Sequence, residues 1–465
     1  MGSESFTITD ASGDIFANEF DQTLINDKRL RARAVKIYKA LQDSCTSCIR
    51  RLLSNKKEAR QAYDFFSNPK VKDNELIAPH YAQTLQRIKE HEDDYLILIQ
   101  DATYINYSSH KAKLDVGRIG KVGKTEQYGI IQHTNLCVTS NNQPLGIVDL
   151  AFYDNEKFSE VAHRSKRPIS EKRSSYWLQI NQAARLRLGP LNKKLIRVSD
   201  RESDFFEYMH DLIKHDELFV IRCKHNRYTG EKHRKREGKI EELLAVSPVV
   251  GKLTFAIQNS QSKKVEEITL DIKKLDCITI PASDNMTGKN EYNPIKLNVV
   301  KACNQEKSWT LLTNLTIDTL EDIKKVIDIY KMRWHIEDYH KVLKTGYQIE
   351  DIGLHSSYQA IINFLTMIAV SACRLYWLIF VGRNETELRA SRCFAEHEWR
   401  AIYAYFKMPQ PEQEPAVQEV VLLIARLGGY KPSKHSLPPG TKTMWIAFQH
   451  FYHIAQMFLN LSTKT

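Results

Sequence analysis

The stretch YLILIQD, residues 95–101, is a continuous apolar run that ends in an acid. Consecutive apolar residues indicate a β-strand that is buried on both faces, because a strand with one wet face alternates apolar and polar residues. The same arrangement returns in KLIRVSD, where the short strand Leu195–Val198 leads into Asp200. In an open α/β sheet, sites form at the carboxyl ends of such strands. The two runs therefore predict an α/β fold with Asp101 and Asp200 at one edge of its sheet.

The segment IDIYKMRWHIEDYHKVLKTG, residues 327–346, has the period of a helix. At about 100° per residue, Tyr330, Arg333, Glu337 and Lys344 line one narrow stripe. Apolar residues form another stripe, which predicts packing on a core; they are Met332, Ile336, Tyr339 and Leu343. Taken alone, the polar stripe is also typical of a solvated helix face with Arg–Glu pairs at helical spacing.

Composition indicates a folded chain with a basic balance. A length of 465 residues with 42% hydrophobic residues allows several domains and a substantial core. A formal net charge of +11 favours a polyanionic partner. The cysteines include one C-x-x-C, Cys45–Cys48, with no second pair and no nearby His doublet. Reduced thiols are therefore favoured over a zinc site.

Two segments indicate where in the cell the protein is located: the N-terminus and the longest apolar run. The polar, acidic N-terminus MGSESFTITD does not read as a signal peptide. The apolar run 361–381 is nearly long enough to span a bilayer, but Asn363, Ser371 and Arg374 interrupt it. A buried helix of a soluble protein is favoured over a membrane span, and we expect a cytoplasmic protein.

The pattern divides the chain into three parts. Residues 1–75 are helical and rich in Lys and Arg, which fits either solvated helices or helices that contact DNA phosphates. Residues 76–384 have an α/β pattern, within which alternating strands at about 218–315 predict an all-β insertion. The run 224–239 is strongly basic and predicts an exposed loop. Residues 385–465 are helical again.

Three acids form the candidate site: Asp101, Asp200 and Glu337. Carboxylate oxygens are the ligands that Mg²⁺ and Mn²⁺ prefer. Two such ions can activate a water molecule and stabilise the leaving oxygen of a phosphodiester. Arg333 and Lys344, near Glu337 on the same helix face, could then grip the phosphates beside the cut.

A resemblance to a known family rests on these residues. Tyr330, Arg333, Glu337 and Lys344 match Y-(2)-R-(3)-E-(6)-K, the signature of a large bacterial group of DDE transposases. The chain resembles the Tn five-like transposases, of the IS four superfamily, over most of its length. The motifs DKRLRAR at 27–33, QDATYINY, SDRESD and ARLGGY carry further parts of the resemblance.

The resemblance implies a fold and a metal site. The expected architecture is a ribonuclease-H-like core, a mixed sheet flanked by helices, with an all-β insertion. A helical DNA-binding domain at 1–75 precedes it, and a helical dimerisation domain at 385–465 follows it. Asp101, Asp200 and Glu337 would be the catalytic residues and would hold two Mg²⁺ ions, for which Mn²⁺ would substitute.

The resemblance also implies DNA-binding residues, which are Arg29, Arg33, Arg222, Lys224, Trp309, Tyr330, Arg333 and Lys344. Arg29 and Arg33 would recognise the terminal repeat, whereas Tyr330, Arg333 and Lys344 would hold the strand near the transposon end. Trp309 matches a tryptophan that helps to hold a base flipped out of the duplex, a role in which an aromatic face compensates lost stacking. A core Trp on a β-strand is the other interpretation.

The implied reaction is cut-and-paste transposition. Hydrolysis frees a 3′-hydroxyl, which attacks the opposite strand to form a hairpin; the hairpin is reopened, and the 3′ ends join target DNA. A homodimer would hold two DNA ends, the terminal inverted repeats. Two alternatives stay open: a metal-dependent nuclease on the same core, and a catalytically limited DNA-binding inhibitor of transposition. The sequence of the terminal repeat lies beyond the resemblance.

Overall fold

A computed structural model describes residues 16, 19–20, 24–53, 55–156, 167–231, 237–258, 265–283, 286, 288, 291–352, 354, 356–384, 387–433 and 438–462. Its α-helices are α1 Lys28–Ser44, α2 Ile49–Leu52, α3 Lys56–Phe66, α4 Asp73–Glu90, α5 Ser175–Leu188, α6 Phe206–Lys214, α7 Ile240–Val246, α8 Leu320–Lys331, α9 Trp334–Lys341, α10 Tyr358–Asn384, α11 Glu396–Tyr405, α12 Val417–Leu427 and α13 Thr441–Ser462. Its strands are β1 Tyr95–Asn106, β2 Arg118–Val122, β3 Thr125–Thr139, β4 Pro144–Tyr153, β5 Lys194–Ser199, β6 Leu218–Arg222, β7 Tyr228–Thr229, β8 Gly238–Lys239, β9 Gly251–Gln258, β10 Val265–Ile280, β11 Ile295–Cys303 and β12 Ser308–Thr313.

One mixed sheet organises the molecule. Strands β4 and β3 pair antiparallel, β3 pairs antiparallel with β1, and β1, β5 and β6 run parallel to one another. The predicted strand at 95–101 is confirmed as the buried first half of β1, in which Leu96, Ile97, Leu98 and Ile99 are fully buried. The chain is therefore an α/β protein with a large mixed sheet flanked by helices, as the sequence predicts.

The predicted all-β insertion differs from the structure in two ways. The segment 218–315 contains the helix α7, so it is not all-β. Its strands also continue the main sheet, because β12 pairs with β6 and is followed outward by β11, β10 and β9. The strand β6 at its start belongs to the parallel part of the sheet. Alternation of apolar residues predicted the strands but could not show which strand edge they would join.

The segment that precedes α1 is fixed to α4 by a buried ionic network. Glu19 is fully buried and pairs with His80 (2.6 Å) and with Arg87 (2.8 Å), both on α4. Burial raises the pKa of Glu19, but Arg87 and His80 outweigh it, and the net pKa is lowered. Arg87 also donates to the carbonyl of Leu145 on β4, so the network links the N-terminal segment to the sheet.

Helix α10 is the apolar run that the sequence marks as long enough for a membrane. It is the single helix of that kind within the described ranges, and every residue of its most apolar window is buried inside the protein. Asn363 donates to the carbonyls of Phe66 and Val71, and Tyr452 accepts a hydrogen bond from Arg374. These polar residues are therefore satisfied by protein partners, as in a core helix.

Candidate active site

Sheet register brings the first two acids together. In the parallel pair of β1 and β5, Gln100 lies beside Ser199, so that Asp101 and Asp200 follow at adjacent positions. Neighbouring strands lie about 4.8 Å apart. Asp200 accepts a hydrogen bond from the amide of Glu202 (2.8 Å) and begins a short 3-10 turn. Two carboxylates thus stand next to each other where the parallel pairing of β1 and β5 ends; Asp200 follows the end of β5 as predicted, whereas β1 continues to Asn106, so Asp101 lies within its strand rather than past its end.

The charge of Asp200 acts directly on Asp101. Burial raises the pKa of Asp101, and the nearby Asp200 carboxylate raises it further, to about 7. The guanidinium of Arg333 and the amide of Ala102 act in the opposite direction but do not cancel these effects. Close acids whose charges repel are typical of sites that hold a cation, since the cation removes the penalty for ionising both.

The third acid lies on a helix that is less regular than the sequence predicts. Helix α8 ends at Lys331, and α9 begins at Trp334 and gives way to a π-helical turn, Val342–Gly346. The predicted apolar stripe is confirmed, because Ile336, Tyr339 and Leu343 are fully buried. π-helical turns occur frequently at functional sites.

Arg333 connects the third acid to the first. Its guanidinium lies 3.4 Å from Asp101 Oδ2 and also donates to Glu337 Oε1. All three side chains are partly buried. The structure therefore brings Asp101, Asp200 and Glu337 into one neighbourhood, named the acidic site below, with a guanidinium between Asp101 and Glu337.

The other two residues of the predicted stripe lie on either side of Arg333. Tyr330 is buried, and within the described part of the chain its hydroxyl has no hydrogen-bond partner. Lys344 donates to the carbonyl of Tyr104 on β1 and lies 3.5 Å from Glu350. The helix thus contacts the strand that carries Asp101, which a helical wheel could not show.

A third set of predicted residues gathers on the next strands. In the parallel pair of β5 and β6, Ser199 lies beside Ile221, so Arg222 is the neighbour of Asp200. The amide of Cys223 donates to the carbonyl of Thr310, which brings Lys224 next to Trp309. Trp309 is partly buried and packs on the hydrophobic core. Arg222, Lys224 and Trp309 are called the strand corner below.

The remaining predicted DNA contacts lie on α1. Asp27 caps this helix by accepting from the amides of Arg29 and Leu30. Arg29 is exposed and Arg33 is half-buried. Both are therefore open to solvent at the start of a helix, away from the sheet edge in sequence. Within the predicted basic loop 224–239, residues 232–236 lie outside the described residues.

The donor set of the acidic site suits a hard divalent cation. Three carboxylates are ligands of the type that Mg²⁺ prefers, and Asp101 and Asp200 stand at adjacent positions. In the part of the chain that the structure describes, no group of three or more His, Cys, Asp or Glu residues is close enough to hold one ion. The charge between Asp101 and Glu337 is supplied instead by Arg333.

One feature beside the acidic site is absent from the sequence predictions. A groove of about 1000 Å³ lies between β1, β2 and the segment 167–174, and Lys344 forms part of its wall. Six basic side chains line it, against the two acids Glu171 and Glu350; they are Arg118, Lys121, Arg167, Lys172, Arg173 and Lys344. These residues are scattered along the sequence, so only the folded chain reveals the groove. It is called the basic groove below.

Comparison with protein families gives two matches. Residues 12–71 match a family model described as transposase DNA-binding, and this range contains α1, α2 and α3. Residues 370–458 match the Transposase Tn5 dimerisation domain, a range that starts inside α10 and covers α11, α12 and most of α13.

The two matched regions contact each other next to the π-helical turn Val342–Gly346. Trp445 on α13 donates from its indole nitrogen to the carbonyl of Cys45 (2.8 Å). The same indole ring lies against Gly346, at the end of the π-helical turn. The matched DNA-binding and dimerisation regions therefore contact each other, and the dimerisation region also contacts the π-helical turn that follows α9. This combination defines a DNA transposase.

More narrowly, the chain is similar to Tn5-like transposases, since residues 12–71 match a transposase DNA-binding model and residues 370–458 match the Tn5 dimerisation domain. It binds DNA and forms dimers.

Proposed function

We propose that the chain is a DDE transposase that binds terminal inverted repeats, excises the transposon by metal-dependent hydrolysis and joins its 3′ ends to target DNA. Excision would pass through a hairpin on the transposon end. The observation that carries the proposal is the contact of Arg333 with both Asp101 and Glu337, at an edge where Asp101 adjoins Asp200. Residues far apart in sequence thus share one site, whose carboxylates could hold the metal ions that stabilise the attacking and leaving oxygens of an in-line displacement at phosphorus.

The strand order supports a ribonuclease-H-like core. Two antiparallel neighbours, β4 and β3, precede the parallel set β1, β5 and β6. Helix α9 contributes Glu337 to the carboxyl end of that parallel set, through its contact with Arg333. Fold alone does not define chemistry, so the proposal depends on the residues of the site.

Asp101, Asp200 and Glu337 would hold two Mg²⁺ ions, and Mn²⁺ would substitute. The chemistry that such ions supply is activation of a water molecule and stabilisation of the leaving oxygen. The raised pKa of Asp101 reflects a site in which added positive charge favours the ionised carboxylate. Transesterification by the freed 3′-hydroxyl would use the same three acids.

The basic residues around the acids would position the DNA. Arg333 offers a planar fork to phosphate oxygens, Lys344 a compact charge, and Tyr330 a hydroxyl without an internal partner among the described residues. The strand corner, one strand beyond Asp200, would bind the transposon end, with Trp309 stacking on a displaced base. Arg29 and Arg33, in the matched DNA-binding region, would recognise the terminal repeat.

The active assembly would be a homodimer that holds two transposon ends. The match to a dimerisation domain supports this arrangement, and α10 to α13 would supply the contacts. The protein would act in the bacterial cytoplasm and associate with the nucleoid when bound to DNA.

The deciding experiment combines the purified protein, duplexes that carry the repeats bounding its gene, Mg²⁺ and a supercoiled target plasmid. We expect double-strand release, a transient hairpin and joined products, all of which a chelator suppresses. Cuts without joining would identify a nuclease. A gel shift without cuts would identify a catalytically limited inhibitor, and either result would contradict the proposal.

A further inference from the structure

The basic groove has the character of a surface for a polyanion. Pockets for small molecules carry only a few polar groups among apolar and aromatic side chains, whereas six of the residues that line this groove are basic. Its volume of about 1000 Å³ lies at the upper end of the range for small-molecule pockets, which is about 300–1,000 Å³. Its six cations face two acids. Repeated phosphates of a nucleic acid fit this lining better than a single compact ligand.

One cation of the groove is held by a weak internal pair that a phosphate could replace. Lys121 lies 3.7 Å from Glu126, and its side chain is 57% exposed. An exposed ion pair of this kind contributes between zero and about 1 kcal/mol. Its loss would therefore cost little when DNA binds. Lys172 lies at the same distance from Glu207, but this pair is largely buried.

Two residues of the groove, Arg173 and Lys344, contact the neighbours of the acidic site. Arg173 donates to the hydroxyl of Tyr104 (2.7 Å) and lies 3.5 Å from Glu202, two residues beyond Asp200. Lys344, on the segment that follows Glu337, donates to the backbone of Tyr104. The wall of the groove therefore contacts the strand that carries Asp101 and the turn that follows Asp200.

The sheet order separates the groove from the strand corner. Arg222 and Trp309 lie on β6 and β12, beyond β5, whereas the groove follows β1 and β2 in the other direction. A phosphodiester at the acidic site would therefore continue into a basic surface on each side. If the transposon end occupies one side, DNA beyond the cut occupies the other.

We propose that the basic groove binds the phosphate backbone of the DNA on the far side of the reacting phosphate from the transposon end. Its occupant is double-stranded DNA that carries no terminal repeat. Such DNA has two sources, the donor DNA that flanks the transposon before cleavage and the target DNA that accepts the ends. The inference rests on the proposed function for its orientation, but it can be tested by binding alone.

The test compares two charge-reversed proteins. Lys121→Glu with Arg167→Glu removes two cations from the groove. Lys194→Glu with Lys214→Glu makes the same change in net charge at exposed positions outside the groove. Each protein is first saturated with a repeat duplex that ends at the cut, so that the end-binding surfaces are filled. A labelled duplex of arbitrary sequence is then titrated at several salt concentrations.

If target DNA fills the groove, the groove variant loses at least about tenfold in affinity for the arbitrary duplex, and its salt slope falls by about two. If flanking donor DNA fills it, the loss appears instead with a repeat duplex extended beyond the cut, compared with the duplex that ends there. Equal affinities of the two variants for both probes would overturn the inference.

Folding and catalysis are monitored separately. Should the charge-reversed protein unfold below the melting temperature of the wild type, the milder pair Lys121→Gln and Arg167→Gln replaces it in the same titrations. If the wild type failed to cut DNA, that result would contradict the proposed function, but the comparison of binding affinities would remain valid. If the groove variant cut DNA normally and bound both probes as tightly as the control variant, the inference about the groove would be overturned, but the proposed function would not.

Discussion

The acidic site is built from two regions that are held in place by different means. Asp101 and Asp200 are positioned by the backbone, because β1 and β5 pair residue by residue up to Gln100 and Ser199. Glu337 is positioned by side chains, since α9 follows a break after Lys331 and reaches the sheet through Arg333. The strand side is therefore fixed by folding, whereas the helix side depends on contacts that a ligand can exchange.

The largest expected effect tests whether the helix side belongs to the site at all. Glu337→Gln should lower DNA cleavage by more than about 100-fold, because loss of even an outer-shell partner of a metal typically costs 10- to 100-fold. Binding of repeat DNA should be kept. The matched control is Asp338→Asn, the adjacent acid, which pairs with Lys341. Equal cleavage by the two variants would show that the helix has been misassigned.

A second test removes the connection between the two regions. Arg333→Ala leaves Asp101 and Glu337 without their shared cation, and cleavage should fall by about 10- to 100-fold. The free energy of unfolding should fall by about 1–3 kcal/mol, since partly buried carboxylates lose a charged partner. Thermal unfolding and cleavage rates measure both effects. Unchanged values in both would mean that the contact plays no part in the site.

A third test addresses the strand side. Gly129 on β3 faces β1 so closely that an added Cβ would lie 1.9 Å from the carbonyl oxygen of Ile105. Gly129→Ala should therefore lower the free energy of unfolding by about 1–3 kcal/mol. Gly120→Ala on β2 is the control, because nothing lies within 4 Å of its added Cβ. A shift within about 0.5 kcal/mol is expected there, and equal shifts would show that β3 is not tightly paired.

The smallest expected effect is a dependence of stability on pH. Burial lowers the pKa of His133, on β3, and the pKa of His340, on α9, each to about 3. Below about pH 6.5 these histidines are protonated in the unfolded chain but stay neutral in the folded protein, so their contribution to stability falls as the pH is lowered. Asp101, whose pKa is raised to about 7, contributes with the opposite sign in this range. Each histidine should contribute about 1.4 kcal/mol per pH unit.

Urea unfolding at pH values from 7 to 5 measures this slope. The variants His133→Asn and His340→Asn should each reduce it by about one histidine's share. A slope that neither variant changes would mean that both histidines are accessible to protons in the folded protein.

The sequence predicts the strand side better than the helix side. Apolar runs that end at Asp101 and Asp200 predict strands with acids at their carboxyl ends; Asp200 does follow the end of β5, whereas β1 continues to Asn106, so Asp101 lies within its strand. A single helix of constant period from Tyr330 to Lys344 is a less accurate prediction, because a break after Lys331 and a π-helical turn alter the phase. Such irregularities depend on packing against other elements, which periodicity does not contain.

The surfaces around the acidic site could likewise be predicted from the sequence only in part. Arg222 and Trp309 could be singled out by family resemblance, and β6 and β12 bring their neighbourhoods together. The basic groove could not be predicted, because Lys121, Lys172 and Lys344 belong to separate elements and no local motif relates them. The helix α7 within the expected all-β segment was missed for a simpler reason, since seven residues carry a weak periodic signal.

The most direct test is a crystal structure of the dimer bound to repeat DNA and Mn²⁺, with anomalous scattering to locate the metal. The account predicts manganese in contact with carboxylate oxygens of Asp101, Asp200 and Glu337, beside the phosphate at the transposon end. Manganese bound elsewhere, or a Glu337 carboxylate that stays away from the metal while DNA is in place, would contradict it.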